Sequence, residues 1–174
     1  DTWSTASDVW LIGSPVIVGE GSPYGYFAGA DPAGNAERLD YKNDSVNCIW
    51  RGKVRYGGLA AAVANQSYGY FCGGSPSGST NVDRIDLSND GIDSVEKGPL
   101  TFTLCGGAAT GNTDYGYFGG SKEPSDRSYI DRIDYANDTV TASPKGPLAT
   151  VLYYTGATGY PSYGYWTGGL AGPS

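Results

Sequence analysis

The chain has 174 residues, and its 11 basic and 18 acidic side chains give a net charge of −7 at neutral pH. This charge repels a phosphate backbone, which excludes the electrostatic attraction on which most DNA and RNA binding depends. The 28 glycines and 15 tyrosines, with only 17% charged residues, favour an all-β protein of short strands and tight turns in one domain.

The residue types that are missing limit the chemistry that the chain can perform. It contains no histidine, so Ser-His-Asp triads, Cys-His nucleophiles and imidazole ligands are excluded. Cys48, Cys72 and Cys105 have neither zinc-site nor disulfide-framework spacing, and we expect them to be small buried residues. The apolar runs are far shorter than the ~20 residues of a membrane span. We therefore expect a protein that is not an enzyme, binds no cofactor and does not insert into a membrane.

Two motifs repeat along the chain. An aromatic motif recurs at spacings of 44, 47 and 48 residues, and an acid-Arg motif with a following Asn-Asp pair keeps step with it. The aromatic copies are Tyr24-Gly25-Tyr26-Phe27, Tyr68-Gly69-Tyr70-Phe71, Tyr115-Gly116-Tyr117-Phe118 and Tyr163-Gly164-Tyr165-Trp166. The acid-Arg copies are Glu37-Arg38-Leu39-Asp40, Asp83-Arg84-Ile85-Asp86 and Asp131-Arg132-Ile133-Asp134. A period of 40 to 50 residues with strand-like content is typical of β-propeller blades.

The first element in the chain is predicted to be an outer strand at residues 1–8, because residues 1–7 resemble residues 138–143, and both stretches begin with Asp-Thr. Repeat units are then predicted at 9–54, 55–100, 101–148 and 149–174. The last of them holds only two strands, which gives about three and a half blades. A tight four-bladed ring, a seven-bladed ring shared by two chains, and a fragment of a longer protein all remain open.

The second unit shows the predicted strands most clearly. The apolar run 59–63 predicts an inner strand, and 67–71 predicts its neighbour, which ends at Gly73-Gly74. The alternation of apolar and charged residues at 82–87 predicts a half-buried third strand, followed by a turn and an outer strand at 92–96. The unit is thus predicted to be a four-stranded antiparallel meander.

This order of features resembles the kelch repeat family over nearly the whole chain. The pairs Gly73-Gly74, Gly119-Gly120 and Gly168-Gly169 carry the resemblance, and the first unit departs from it with Ala28-Gly29. The sequence of residues 115–120 and 131–148 is similar to kelch-like arrays in predicted virion and tail-fibre proteins of marine bacteriophages. The resemblance implies a kelch-like β-propeller of four-stranded antiparallel blades.

The turns and charged strands suggest two weak sites. Asp86, Ser88 and Asp90 place oxygen ligands at alternate positions, as a calcium loop does, but Asn and Asp bonding their own backbone in a hairpin turn explain the pattern better. The repeated arginines share a face and could bind an anion, although pairing with strand acids or with the acids of an adjacent blade is the simpler interpretation.

The repeats differ most in the loop after the Gly-Gly pair, where function is expected. Polar groups there, with nearby aromatic rings, could bind sugars, and solvated linkers are the alternative. The candidate binding residues are Asn35, Ser79, Asn81, Lys122, Asp126, Arg127, Tyr129 and Tyr160.

The resemblance leads to an expected role in a virion or outside the cell. We expect a non-catalytic structural or adhesion module of a phage tail or fibre, which binds a host-surface glycan, other virion subunits or copies of itself. A cellular kelch-type scaffold for protein–protein interaction is the alternative.

Overall fold

The structure is a computed structural model that describes residues 16–17, 23–28, 34–55, 58–74 and 77–171; the outer strand predicted at 1–8 lies outside them. The all-β prediction is confirmed, because the described residues form strands, turns and a single 3-10 turn at Tyr135–Asn137. None of these elements is a helix that could cross a membrane.

Three four-stranded antiparallel sheets follow one another along the chain, each with its strands in sequence order. Sheet 1 contains β1 (Val16–Ile17), β2 (Tyr24–Ala28), β3 (Asn35–Asp40) and β4 (Ile49–Lys53). Sheet 2 contains β5 (Ala60–Ala64), β6 (Tyr68–Gly73), β7 (Val82–Asp86) and β8 (Val95–Lys97). Sheet 3 contains β9 (Ala108–Gly111), β10 (Tyr115–Ser121), β11 (Arg127–Asp134) and β12 (Ser143–Lys145).

The end of the described chain forms two smaller antiparallel pairs. In one pair β13 (Leu152–Tyr153) lies beside β16 (Leu170–Ala171), and in the other β14 (Gly156–Tyr160) lies beside β15 (Tyr163–Thr167). The pair β14–β15 carries the fourth aromatic motif, so it corresponds to the first two strands of the larger sheets.

The meander predicted for the second unit is confirmed, but its last strand begins later than predicted. Residues 87–94 form a longer turn, in which the Leu87 amide donates to the Ser67 carbonyl and the Ile92 amide to the Asn89 carbonyl. These bonds hold Ile92 in the turn, so β8 begins at Val95.

Adjacent sheets pack face to face along the chain. The first strands β1, β5, β9 and β14 lie side by side in that order. One apolar cluster joins sheets 1 and 2, with Tyr26 and Ala36 against Phe71 and Ile85. A larger cluster joins sheets 2 and 3 and contains Tyr70. In sheet 2 the second and third strands bury both faces, with Tyr70 and Val82 towards sheet 3 and Phe71 and Ile85 towards sheet 1. The third strand is therefore not half-buried as predicted, because a sheet packs on each side of it.

Two glycines allow each second strand to approach the segment that leads into the next sheet. Gly73 and Gly120 have φ angles of 79° and 75°, and a Cβ on either would overlap a backbone carbonyl, at Leu104 and Leu152 respectively. Ser121 stands after Gly120 where Gly74 stands after Gly73. Gly120, and not Gly119, is therefore the structural equivalent of Gly73, so the Gly-Gly pair of the third unit lies one residue earlier relative to the aromatic motif than the pair of the second unit.

The three cysteines carry free thiols. Cys72 and Cys105 are buried, as expected of small apolar residues, and Cys48 is half-buried instead. Burial raises the pKa of the Cys72 thiol well above its usual value, which leaves it protonated and unreactive at neutral pH.

Candidate functional site

The described candidates of the first two loops, Asn35, Ser79 and Asn81, lie against neighbouring segments of the protein. Ser79 exchanges two backbone hydrogen bonds with Leu104, and its Oγ accepts a hydrogen bond from the Asn81 amide at 3.0 Å. Asn35 is the first residue of β3 and faces Lys53 on β4. Asn35 therefore lies at the start of a strand. Ser79 and Asn81 lie in a loop that is held by hydrogen bonds to Leu104 and within itself.

The third loop, at residues 122–126, has a cation beside exposed aromatic rings. Lys122 Nζ lies 5.9 Å from the centroid of the Tyr153 ring and 5.5 Å from that of Tyr154. The two rings meet edge to face at 5.3 Å. A hydrogen bond with the Tyr154 hydroxyl raises the pKa of Lys122, so the ammonium stays charged.

A second cation and ring lie on the other side of this loop. Arg127 Nη1 donates to the Tyr129 hydroxyl at 3.2 Å, and its guanidinium carbon lies 5.1 Å from the ring centroid. Tyr129 rests on the edge of Phe102 at 5.8 Å and remains 46% exposed. Asp126 is half-buried next to Arg127.

We call these five side chains the loop surface. It comprises Lys122, Arg127, Tyr129, Tyr153 and Tyr154. At each side of one loop a cationic donor lies beside a phenol hydroxyl and a partly exposed ring, and this combination suits a ligand with both hydroxyl groups and apolar faces. The sequence indicates Lys122, Arg127 and Tyr129 as binding candidates. It indicates Tyr153 and Tyr154 only as irregular aromatics suited to contact, because the doublet at 153–154 interrupts the repeat, and it does not place them beside Lys122.

Tyr160, the last candidate, lies elsewhere. It is 69% exposed and lines a cavity of about 330 Å³ between sheet 3 and the β14–β15 pair. Tyr117 and Lys145 line this end cavity from sheet 3, and Trp166 lines it from β15. Tyr160 therefore does not join the loop-surface candidates.

The carboxylates proposed as weak calcium ligands have different partners. Asp86 accepts hydrogen bonds from the Ser88 amide at 2.9 Å and from its hydroxyl at 2.6 Å, which lowers the pKa of Asp86. Asp90 instead points to sheet 1, where it pairs with Arg38 at 2.8 Å and Arg51 at 3.0 Å. Within the described ranges no three His, Cys, Asp or Glu side chains group as metal ligands would.

Two of the three repeated arginines are paired with acids of the following sheet. Arg84 forms an ion pair with Asp138 at 2.8 Å, as Arg38 does with Asp90. This arrangement corresponds to the alternative in which the arginines hold neighbouring units together.

A scan against models of known protein families and a search of curated proteins both found no match.

Proposed function

We propose that the chain is a non-catalytic binding module of a virion, of the phage tail or fibre type, and that its loop surface binds a glycan on the host. The sheets are proposed to be kelch-like propeller blades. Side-by-side first strands, face-to-face packing and the same ion pair at successive junctions support this arrangement.

One observation carries the glycan proposal. The exposed tyrosines at 129 and 154 stand next to the two cations that flank a single non-repeated loop. Sugar rings stack on aromatic faces, and their hydroxyls accept hydrogen bonds from ammonium and guanidinium groups. A rigid β scaffold keeps such groups in place without ordering them on binding, which reduces the entropic cost of a weak contact.

Binding of the full chain to an array of immobilised host-surface glycans tests the proposal. Because single sites of this kind are weak, the chain should be displayed in many copies on a bead so that several sites engage together. We expect binding to a subset of glycans, with loss of signal by about tenfold in Lys122→Ala and in Tyr129→Ala.

Lys42→Ala provides the matched control, because Lys42 is an exposed lysine in the first turn and lies outside the loop surface. Binding that falls equally in Lys42→Ala would show only nonspecific attraction of charge. Absence of binding to every glycan, with binding to a protein partner instead, would favour the scaffold alternative.

A further inference from the structure

The junction between sheets 1 and 2 contains a complete carboxylate site. Asp90, in the turn between β7 and β8, is 5% exposed. It accepts hydrogen bonds at 2.8 Å from the Tyr26 hydroxyl and from Arg38 Nη1, and it pairs with Arg51. Three strands of sheet 1 thus place one phenol hydroxyl and two guanidinium groups around one carboxylate.

The junction between sheets 2 and 3 repeats this site. Asp138, in the turn between β11 and β12, accepts from the Tyr70 hydroxyl at 2.9 Å and from Arg84 Nη1 at 2.8 Å. Lys97 Nζ completes the set at 3.2 Å, and its side chain is 11% exposed. Every donor again comes from the second, third and fourth strands of the preceding sheet.

A glycine completes both sites through the backbone. The Gly52 amide donates to the Asp90 carbonyl at 2.7 Å, and the Gly98 amide donates to the Asp138 carbonyl at 2.8 Å. A Cβ on Gly52 or Gly98 would overlap the carbonyl two residues further along the docked turn. Only glycine lets the incoming turn approach this closely.

Sheet 3 presents the same donors for a third time. Tyr117 pairs with Arg132 in the strand register, as Tyr70 pairs with Arg84. Lys145 lies opposite Ile130, as Lys97 lies opposite Val82, and Gly146 follows it as Gly98 follows Lys97.

The arginine of the third set is already held in its binding position. The guanidinium carbon of Arg132 lies 4.1 Å from the centroid of the Tyr115 ring, and Arg84 lies 4.0 Å from that of Tyr68. Among the described residues Arg132 forms no ion pair, whereas Arg38 and Arg84 each meet a carboxylate through Nη1. An incoming carboxylate would supply the partner that Arg132 lacks.

The surroundings of the third set are open where those of the second are closed. Lys145 and Gly146 are exposed, Tyr117 is half-buried, and nothing lies within 4 Å of the Cβ position of Gly146. The end cavity lies on this face, bounded across from sheet 3 by β14 and β15. Among the described strands β15 pairs with β14 alone, so it also presents an edge.

We propose that Tyr117, Arg132, Lys145 and Gly146 form a receptor for a β-hairpin that carries an aspartate in its turn. The first strand of the hairpin adds to the edge of β15, as β11 adds to β10. Its turn then docks beside the end cavity, which Tyr117 and Lys145 line, and the aspartate binds Lys145 and the neighbouring Arg132 and accepts from the Tyr117 hydroxyl. The turn carbonyl receives the Gly146 amide.

A synthetic peptide of residues 127–146 is the probe, because it contains the strand, the turn and Asp138 that fill the equivalent site on sheet 2. Calorimetric titration of this peptide into the full chain should show saturable binding that weakens as salt is added. A peptide with Asp138→Asn should bind at least about tenfold more weakly, because it loses charge-assisted hydrogen bonds.

Gly146→Ala in the full chain is the matched receptor variant. Its Cβ meets nothing in the folded protein but would overlap the docked turn, so it should weaken the peptide about tenfold without changing the melting temperature. Tyr117→Phe, which removes one hydroxyl, should weaken it less.

Three outcomes would overturn the proposal. They are no binding up to millimolar peptide, equal binding by the Asp138→Asn peptide, and binding unaffected by Gly146→Ala. If light scattering instead shows that the chain alone self-associates and that Gly146→Ala separates the copies, the occupant is a second copy, and the assignment to a separate hairpin is wrong.

Discussion

At the scale of single residues, three acids in the second and in the third unit have three different tasks. In the second unit Asp83 accepts from the Arg55 amide at 2.6 Å and fixes the segment that leads into the sheet. Asp86 caps its own turn through Ser88. Asp90 leaves the turn and binds the preceding sheet. The three residues are all aspartates in the sequence, but Asp86 forms local bonds and Asp90 forms bonds to a distant part of the chain.

Of the three acids, the aspartate that binds the preceding sheet should lower the free energy of unfolding most when it is replaced. Asp138→Asn leaves Arg84 and Lys97 with no carboxylate in a largely buried site, so we expect the free energy of unfolding to fall by about 2–4 kcal/mol. Urea denaturation followed by circular dichroism would measure it.

Asp44→Asn is the control, since Asp44 occupies the same position in the first turn but is exposed. A change within about 0.5 kcal/mol is expected there. Equal losses in the two variants would mean that the inter-sheet ion pairs contribute little to stability.

Burial separates the three thiols in reactivity. The half-buried Cys48 should react with an aromatic disulfide reagent in the native protein, whereas Cys72 and Cys105 should react only after unfolding, because burial raises the pKa of both thiols. Each protein thiol that reacts releases one aromatic thiolate from the reagent. The amount of aromatic thiolate released with and without denaturant would check this prediction. Rapid reaction of all three in native buffer would contradict the packing between sheets.

At the scale of elements, the turn between the third and fourth strands also forms the contact that holds its sheet to the preceding sheet. The Gly98 amide and the Asp138 carboxylate site act on the same turn, so backbone and side-chain bonds fix its position together. The 54 residues that separate Arg84 from Asp138 bring two non-local surfaces into register.

A pair of glycine substitutions would test whether this close approach matters. Gly98→Ala should destabilise the protein by about 1–3 kcal/mol, because its Cβ overlaps the Val140 carbonyl and the turn must move. Gly146→Ala, at the equivalent position with open space around it, should change the melting temperature little. Similar melting temperatures for both variants would argue against the docked geometry of the turn.

The strands could be predicted from the sequence because alternation and repeat spacing are local signals. The meander of sheet 2 follows from them. The burial of both Val82 and Ile85 does not, because the two side chains lie on opposite faces of one strand and each face is covered by a different neighbouring sheet. The partner of Arg84 could not be predicted, since its own strand and the next unit both offer acids at suitable spacing. The neighbours of Lys122 depend on how β13 crosses the third sheet, which no periodic pattern encodes.

At the scale of the whole molecule, buried tyrosines link stability to alkaline pH. Burial and the neighbouring carboxylates raise the pKa of Tyr26 and Tyr70, and burial raises that of Tyr135 well above its usual value. Above pH 10 the unfolded chain releases these protons while the folded chain keeps them. Stability should therefore be unaffected by these groups below pH 10 and fall as the pH rises further.

Chemical denaturation at several pH values between neutral and strongly alkaline would measure the decline. Each such tyrosine contributes up to about 1.4 kcal/mol per pH unit to the slope. Tyr70→Phe should be less stable at neutral pH, since Asp138 loses a donor, but its decline with pH should be shallower. A slope identical to that of the parent would exclude Tyr70 from the alkaline transition.

The two carboxylate junctions have a geometric consequence, because each joins the turn of one sheet to the strands of the sheet before it. At both junctions the later sheet supplies the aspartate and the earlier sheet supplies the arginine, so the row of sheets has a direction along the chain. The two junctions use corresponding groups, so the contacts at one junction do not depend on how many sheets precede it. The length of such an array must be limited by curvature or by a cap, since the chemistry of the joint itself would allow another unit to be added.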